Sequence, residues 1–377
     1  MIEIDPLIDE AIGGSFSPAV EMQAWRDGVL TYPTPASGFR RIDVVSWETT
    51  EDATTSARIL RATVVTQDPA LVPRSMDAIL GPYGSEVALF SGVDFGPELG
   101  SRLVPEGRFR IDSATPREHY EHYRETNRWA FHGVVIDLTA TDRMKVISKG
   151  RFESKTTASV GSTAYQAIQG LCDGYVPTGE HLVPDAPIGQ ITFDTDDRVA
   201  AIDQVAARIN ARARFNRDGQ LVLMPRTDGT GSWTVPEWTL VNVDRSFDDG
   251  DFYNAVIARG RDDEQNEFQS RYVETSGPGR YRDGYRIPYF FGSSLLTTQA
   301  ATDAAARTTY QNVVAKRRSV ATIDVPYNPA IEAFDEITFE QGGIAYTGQA
   351  KTIVRSNGPT MRVGVWLSLE DSWRLDG

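Results

Sequence analysis

The chain has 377 residues, more than one hydrophobic core usually holds, so two to four domains are expected. Its 52 Asp and Glu residues against 38 Lys and Arg give a formal net charge of −14, which argues against a general nucleic-acid binder because an acidic surface repels phosphates. Cys172 is the single cysteine, so this sequence can form neither an intrachain disulfide nor a Cys-based zinc site.

The sequence shows no sign of a membrane or export segment. The first fourteen residues, MIEIDPLIDEAIGG, lack the basic flank and the long apolar run of a signal peptide. No stretch approaches the roughly 20 apolar residues that a membrane-spanning helix needs. We therefore expect synthesis in the cytoplasm and no membrane span.

Residues 1–20 show little periodicity and predict an N-terminal arm, and residues 21–148 predict a first β-barrel domain. The strand signal is alternation and β-branched runs, and the segments between strands are rich in Gly and Pro, which is typical of antiparallel barrels or sandwiches. The predicted strands are Val20–Leu30 with a hairpin turn at Asp27 and Gly28, Arg41–Glu48, Arg58–Thr66, Glu86–Val93, Arg108–Ser113 and Trp129–Thr141.

Residues 149–236 predict an α/β domain made of helices and a hairpin. Apolar residues recur at helical spacing in Ser162–Cys172 and in Asp196–Ala211, where Thr195 is the predicted N-cap. Cys172 lies on the apolar face of the first helix, which predicts an inert core thiol. The segment Arg214–Pro225 predicts a hairpin that turns at Asp218 and Gly219.

Residues 237–377 predict a second β-barrel domain with one helix at 298–318, for which packing on the α/β domain is one option. The predicted strands are Tyr253–Arg259, Gln269–Glu274, Val320–Val325, Glu336–Phe339, Tyr346–Arg355 and Met361–Leu369. The predicted fold class is mainly β with an α/β insert: two antiparallel β-barrel-like domains joined by a helix-plus-hairpin α/β region.

Residues that could carry chemistry do not form a recognisable site. His119 and His122 have only two residues between them and no third ligand nearby, unlike the His-Glu-x-x-His helix of zinc proteases. We expect a solvated, aromatic-bearing loop or strand end there. His132 is expected to pack within a strand, and no role is assigned to His181. The acidic runs at 196–197, 248–251 and 262–264 are expected to be solvated loops. No catalytic, cofactor-binding or metal-binding residue is predicted, and no cofactor.

An aromatic cluster follows the acidic runs in the sequence and leaves two interpretations open. Its members are Tyr281, Tyr285, Tyr289, Phe290 and Phe291. Such a cluster can anchor a core or an interface, or it can form a platform on which a sugar stacks.

Four segments carry the residue patterns of one group of proteins, namely Pro105–Ile111, Ile136–Arg143, Asp251–Gly260 and Tyr327–Ile337. In this order along the chain they resemble segments of the hub proteins of phage tails and related injection machines. The segment Asp251–Gly260 is similar to their "Asn-x-Val-x-x-x-Gly" strand. Pro105–Ile111 and Ile136–Arg143 are similar to strands of their first barrel. Tyr327–Ile337 is similar to their "Asn-Pro-x-(apolar)-x-x-Gly-Asp-x-(apolar)" entry into the last strands, with Phe334 where Gly is usual.

This resemblance implies a structural protein of the virion and no enzyme. Three copies would form a trimeric ring at the tail tip that adapts a six-fold tail to a three-fold tip and lines the DNA or effector channel. The implied partners are a hexameric distal tail protein above, the C-terminus of the tape-measure protein, and spike or fibre proteins below, with DNA only in transit. The implied location is the virion tail tip, after assembly in the host cytoplasm.

Two alternatives stay open. One is a carbohydrate-binding or cell-wall-degrading tail-tip protein, for which a glycosidase would need two carboxylates about 5–10 Å apart across a cleft. The other is a hexameric distal tail ring protein.

Overall fold

A computed structural model describes most of the chain. The described residues are 5–12, 16–33, 41–55, 57–153, 156–158, 161–193, 197–225, 229, 231–236, 239–246, 252–261, 266–276, 279–292, 296–315 and 318–368. The chain divides into two compact units. The first contains Met1–Asn242, Ile323–Phe339 and Gln349–Val365, and the second contains Val243–Thr322, Glu340–Gly348 and Trp366–Gly377.

Strands dominate the described residues. In chain order they are β1 (Ser17–Arg26), β2 (Val29–Tyr32), β3 (Val44–Asp52), β4 (Ile59–Thr66), β5 (Ser85–Asp94), β6 (Ser101–Tyr123), β7 (Arg128–Asp142), β8 (Thr156–Ala158), β9 (Ile191–Phe193), β10 (Ala211–Phe215), β11 (Leu221–Pro225), β12 (Ser232–Thr234), β13 (Asn242–Ser246), β14 (Ala255–Arg261), β15 (Glu267–Val273), β16 (Pro288–Gly292), β17 (Arg318–Pro326), β18 (Glu336–Gln341), β19 (Ile344–Ser356) and β20 (Thr360–Ser368). The helices are α1 (Pro6–Ile12), α2 (Met144–Lys149), α3 (Ala164–Cys172), α4 (Arg198–Arg208) and α5 (Gln299–Ala315).

The first unit is built on a large sheet in which neighbouring strands are mostly antiparallel. Part of its strand order is β19-β3-β4-β7-β6-β5-β1-β2. Strand β4 shows why the sheet forms, since Leu60, Ala62 and Val64 are buried and the residues between them point the other way. These side chains join one hydrophobic core with residues from β5, β6 and β7, among them Val87, Leu89, Phe109, Ile111, Ile136 and Leu138.

The turn between β1 and β2 has the geometry that the sequence predicts. Asp27 and Gly28 both have positive φ, 49° and 77°, as a two-residue hairpin turn of this kind requires. Both strands overlap the predicted segment Val20–Leu30 in the sequence and pair with each other, so the hairpin prediction is confirmed.

The α/β material of the first unit packs helices α3 and α4 around the β10–β11 hairpin. A second core includes Ile168, Ile202, Val205, Phe215 and Leu223. Helix α4 begins at Arg198, and the Asp197 side chain caps it by accepting hydrogen bonds from the Val199 and Ala200 amides. The predicted N-cap, Thr195, lies outside the described residues.

The second unit contains a three-stranded sheet in the order β15-β14-β16, with helix α5 packed on β14 and β15. The predicted helix 298–318 is therefore shorter, at Gln299–Ala315, and Arg318 already belongs to β17. Lys316 and Arg317, expected in the last helical turn, lie outside the described residues.

The mainly β fold class is confirmed. Among the described strands the order of the large sheet does not close into a barrel. The division at residues 20, 148 and 236 stays a prediction. Of the described helices, none combines the length and the apolar character needed to cross a membrane.

Candidate functional site

In the hub-like segment Asp251–Gly260, the Asn and the Gly of the pattern are both required by the backbone around them in the second unit. Asn254 is fully buried; its Oδ1 accepts a hydrogen bond from the Ile287 amide at 2.8 Å and its Nδ2 donates to the Tyr285 carbonyl at 2.8 Å. Gly260 has no room for a side chain, because a Cβ there would lie 2.2 Å from the Leu296 carbonyl oxygen. The Asn and Gly of this segment therefore fix the chain around β14.

The second hub-like segment, Tyr327–Ile337, forms a tight loop before β18. Asp335 holds the loop closed, since its Oδ1 accepts from the Gly231 amide at 3.0 Å and its Oδ2 accepts from the Glu332 amide at 2.8 Å. Phe334 has φ of 75°, a left-handed conformation that normally favours glycine. The backbone thus keeps the glycine-type turn although the residue is Phe.

The ring of Phe334 has an unusual neighbour. The guanidinium of Arg212 lies 3.3 Å from the ring centroid, and none of its nitrogens finds a hydrogen-bond partner among the described residues. Burial, and then the nearby Arg214, lower the pKa of Arg212 to about 10. The Arg212 guanidinium therefore lies in direct cation–π contact with the Phe334 ring.

A buried ionic network lies at the centre of the first unit. Glu51 of β3 is 2% exposed and forms an ion pair with Arg214 of β10. Its Oε1 also accepts a hydrogen bond from the Ala333 amide at 2.7 Å, and its Oε2 lies 3.6 Å from the Arg58 Nε. One carboxylate thereby joins the first strands, the β10–β11 hairpin and the loop before β18.

Arg58 extends the network to three other segments. Its Nη1 donates to the Glu106 carbonyl at 3.0 Å and its Nη2 donates to the Phe215 carbonyl at 2.8 Å. The backbone amide of Arg58 donates to the Asp142 carboxylate at 2.9 Å. A single side chain thus connects β6 and β10, which lie far apart in the sequence.

Two further residues extend the network. Glu332 lies in the loop before β18, and Arg217 lies at the tip of the β10–β11 hairpin. The Glu332 Oε1 lies 3.5 Å from the Arg217 Nε and 3.8 Å from the Arg58 Nη2. Arg217 also donates to the carbonyls of Pro105 at 3.2 Å and of Ile331 at 3.1 Å. These bonds tie the tip of the β10–β11 hairpin to both neighbouring segments.

Glu106 forms the last part of the network. Its carboxylate accepts hydrogen bonds from the hydroxyls of Ser91 and of Tyr327, the latter at 2.9 Å, and its Oε2 lies 3.5 Å from the Arg355 Nη1. Glu106 and Arg355 are each 2% exposed. The hub-like segment at residue 105 is thus joined to the one at residue 327 through side chains.

The pKa values in the network follow from burial opposed by ion pairing. Burial alone raises the pKa of Glu51, but Arg214, Arg58 and Arg355 together outweigh it and hold the pKa below its ordinary value. At Asp142 burial prevails and raises the pKa to about 6. The network is therefore charged at neutral pH, and it acts as a structural joint.

A cavity of about 670 Å³ opens beside this joint in the first unit. Arg58, Arg214, Arg217 and Glu332 form its polar wall, and Ile8, Leu103, Leu182 and Met224 are among its apolar lining residues. The arginines of this wall already bind carboxylates and carbonyls, and the carboxylates of Asp5, Glu180 and Asp218 also line the cavity.

Strands β6 and β7 extend beyond their sheet neighbours as a two-stranded ribbon, from His119 to Gly133. The pairings of β6 with β5 and of β7 with β4 end before the ribbon begins. One face of the ribbon continues the core-facing side of the sheet, and it carries Tyr120 against Phe131 and His122 against Trp129. Trp129 is 68% exposed, so this aromatic strip is a candidate contact surface.

Three of the four histidines lie on this ribbon, but they do not converge. His119 and His122 are on opposite faces, because an odd separation reverses the side chain in a strand. His119 packs edge-on against His132, and the His132 Nδ1 is 3.8 Å from a Glu121 oxygen. No group of three or more candidate metal ligands occurs among the described residues.

The remaining candidate residues have structural surroundings. The His181 Nδ1 accepts a hydrogen bond from the Leu223 amide at 3.0 Å, and burial lowers the pKa of His181. Cys172 is buried in the second core, and burial raises the pKa of its thiol to about 12. The predicted core position of Cys172 is therefore confirmed, and its inertness stays a prediction.

The acidic runs and the aromatic cluster are only partly described. Asp197 is the N-cap of α4, whereas Asp196 and the runs at 248–251 and 262–264 lie outside the described residues. In the aromatic cluster, Tyr289 packs against Tyr253 while Phe290 is 58% exposed. The cluster thus serves both a core and a surface.

Sequence reasoning missed the buried network entirely. Its members are Glu51, Arg58, Glu106, Arg214, Arg217, Glu332 and Arg355. The available signal was charged residues inside strands that otherwise alternate, such as Glu51 and Arg214. Nothing in one sequence shows that residues so far apart meet.

Comparisons with known proteins place the fold. No protein-family model matches the sequence, and no curated protein sequence matches it. Among solved structures, the tail protein of Neisseria meningitidis MC58 has a TM-score of 0.60 at 11% identity, covering 93% of this chain and 97% of that chain. The 43 kDa tail protein of prophage MuSo2 from Shewanella oneidensis has a TM-score of 0.60 at 11% identity, covering 92% and 98%.

A third solved structure gives the same result. The prophage tail protein gp18 of Listeria monocytogenes EGD-e has a TM-score of 0.54 at 11% identity, covering 92% of this chain and 94% of that chain. At 11% identity the similarity concerns the fold alone. For the fold, it confirms the resemblance to phage tail hub proteins that the sequence indicated. Over nearly its whole length, the chain has the fold of phage tail proteins.

Proposed function

We propose that the chain is a structural hub at the distal end of a phage tail. The observation that carries this proposal is the tail-protein fold, which extends over both units and leaves little of the chain outside the match. The hub-like segments support it, because their Asn254, Gly260 and Asp335 fix the backbone of that fold.

In this role three copies form a ring that adapts a six-fold tail to a three-fold tip. The partners are a hexameric distal tail protein above, the C-terminus of the tape-measure protein, and spike or fibre proteins below. The protein is assembled in the host cytoplasm and ends in the virion at the tail tip. A ring position requires rigid subunits, and the buried joint around Glu51 supplies rigidity because many segments share its hydrogen bonds.

The net charge of −14 suits a channel through which DNA passes. A lumen of the same sign as DNA repels the phosphate backbone, so DNA would slide without binding. DNA is accordingly a passenger and not a ligand in this proposal.

No catalysis is proposed. A carbohydrate-binding or wall-degrading role has one observation in its favour, the exposed aromatic strip on the ribbon, since exposed aromatic rings can stack on sugars. The hexameric distal ring protein is the second alternative.

Native mass spectrometry of the purified chain, together with a wall-hydrolysis and sugar-binding assay, tests the proposal. The hub predicts a trimer without hydrolysis or sugar binding. A hexamer would favour the distal ring protein, and a monomer that binds sugars or cleaves the wall would overturn the hub.

A further inference from the structure

The three-stranded sheet of the second unit has one covered face and one open face. On β14 the residues Val256, Ala258 and Gly260 point to helix α5, and Gly260 lies against Leu296 and Thr302 of the adjoining segment. Alternation in a strand places Ile257 on the other side. The described helix thus shields only one side of this sheet.

The open face combines two exposed arginines with an exposed aromatic ring. Arg259 of β14, Arg271 of β15 and Phe290 of β16 lie on it in adjacent strands. The Arg259 guanidinium is 5.3 Å from the Phe290 ring centroid, and that of Arg271 is 5.5 Å from the ring of Tyr281. Phe290 is 58% exposed.

These two arginines differ from the other charged residues of the sheet. Arg261, on the same side of β14, forms an ion pair with Glu267. Arg259 and Arg271 form no ion pair with any residue that the structure describes, and aromatic rings are their contacts. Their charges therefore remain available to a carboxylate from another molecule.

The chemistry of this face is typical of the centre of a protein interface. Arginine and aromatic residues are enriched at interface hot spots, where exclusion of water strengthens both cation–π contacts and charge pairs. Its positive charge contrasts with the chain as a whole, in which 52 carboxylates outnumber 38 basic side chains. A second copy of this chain carries this excess of carboxylates, so its net charge is complementary to the positive face.

We propose that this open face, formed by Arg259, Arg271 and Phe290, binds an acidic surface of a second copy of the chain. The contact is heterologous, with different surfaces on the two copies, and such contacts close into rings such as a three-fold ring. The inference rests on the trimer of the proposed function and assigns its interface.

Sedimentation equilibrium of the full chain tests the assignment. The variants are Arg259→Glu with Arg271→Glu, and separately Phe290→Ser, which removes the ring without changing the charge. Arg307→Glu is the control for a charge reversal outside this face: it makes one Arg-to-Glu change, matching each of the two in the double variant, at an exposed position on helix α5, on the covered side of the sheet.

The wild-type chain and the Arg307→Glu control are expected to be trimers. The double reversal is expected to weaken association at least tenfold at low salt, and Phe290→Ser also weakens it. Added salt is expected to weaken the wild-type trimer, since salt screens the charge pairs.

The contrary outcomes are distinguishable. Trimers of unchanged stability in both variants would overturn this interface and leave the hub proposal intact. A wild-type chain that stays monomeric at all concentrations would contradict the interface and the proposed trimer together. Circular dichroism melting of each variant shows whether it is folded.

Discussion

At the scale of single residues, the charged groups buried around Glu51 govern how the first unit holds together. Each carboxylate is stable there only because arginines surround it, and an arginine left without its carboxylate is a buried unpaired charge. Such networks are weak evidence for high stability, but they are sensitive to the loss of any one member.

Replacing Glu51 with Gln should therefore destabilise the protein strongly. The change leaves Arg214 and Arg58 without their shared anion, and removing one partner of a buried pair costs about 3–5 kcal/mol. Denaturant unfolding of both proteins measures the difference. Glu48→Gln is the control, because its pair with Arg61 is exposed and should contribute about 0.5 kcal/mol or less. Equal effects of the two changes would contradict a structural role for the network.

The left-handed conformation of Phe334 predicts an order of stability between two variants. Phe334→Gly relieves backbone strain, whereas Phe334→Ala keeps it, and both remove the ring under Arg212. We expect the Gly variant to be more stable than the Ala variant by about 1 kcal/mol in thermal or denaturant unfolding. An Ala variant as stable as the Gly variant would show that the position is not strained.

The pKa shifts of the network predict how stability depends on pH. The pKa of Asp142 is raised to about 6, so its contribution is lost as the pH rises through 6 and regained on acidification. The pKa values of Glu51, Glu106 and Glu332 are lowered, chiefly because arginines outweigh the effect of burial, so their contribution is lost as the pH falls below about 4.5.

Thermal melting between pH 7 and pH 3.5 checks this dependence. The melting temperature should rise slightly towards pH 5 and fall steeply at lower pH. Asp142→Asn should remove the rise but keep the fall. A melting temperature that falls steadily from pH 7 would contradict the raised pKa of Asp142.

At the scale of elements, the sequence predicts most strands and helices, because periodicity is a local signal. Strand β4 and helix α4 were found from alternation and from helical spacing respectively. The part of β6 beyond Ser113 was missed, because charged, histidine and aromatic side chains occur on both of its faces, whereas the β7 side of the ribbon lies within the predicted strand Trp129–Thr141. The predicted end of α5, residue 318, was too late, because basic residues are typical of a helix C-terminus and Arg318 instead begins β17.

The cap of α4 gives a prediction for this scale. Asp197→Ala removes a side chain that accepts hydrogen bonds from the Val199 and Ala200 amides, and such a loss costs about 1 kcal/mol. Gln204→Ala, exposed on the same helix, is the control and should change stability little. If urea unfolding shows no difference between the two variants, Asp197 is not the functional cap.

At the scale of the whole molecule, the fold class and the family resemblance could be predicted, but the joint between segments could not. In the hub-like segments, side chains such as Asn254 and Asp335 bind backbone groups, and these residues form short patterns that can be recognised in one sequence. The network from Glu51 to Arg355 joins residues that lie far apart in the sequence, and it forms no such local pattern. Long-range pairing of charges is visible only once the fold is known.

The central claim is that the chain is a three-fold hub, and imaging of the purified protein by electron microscopy without imposed symmetry tests it most directly. The account predicts three-fold rings with a six-lobed outline and an open lumen. Particles with true six-fold symmetry, or single copies with a groove and no ring, would contradict it.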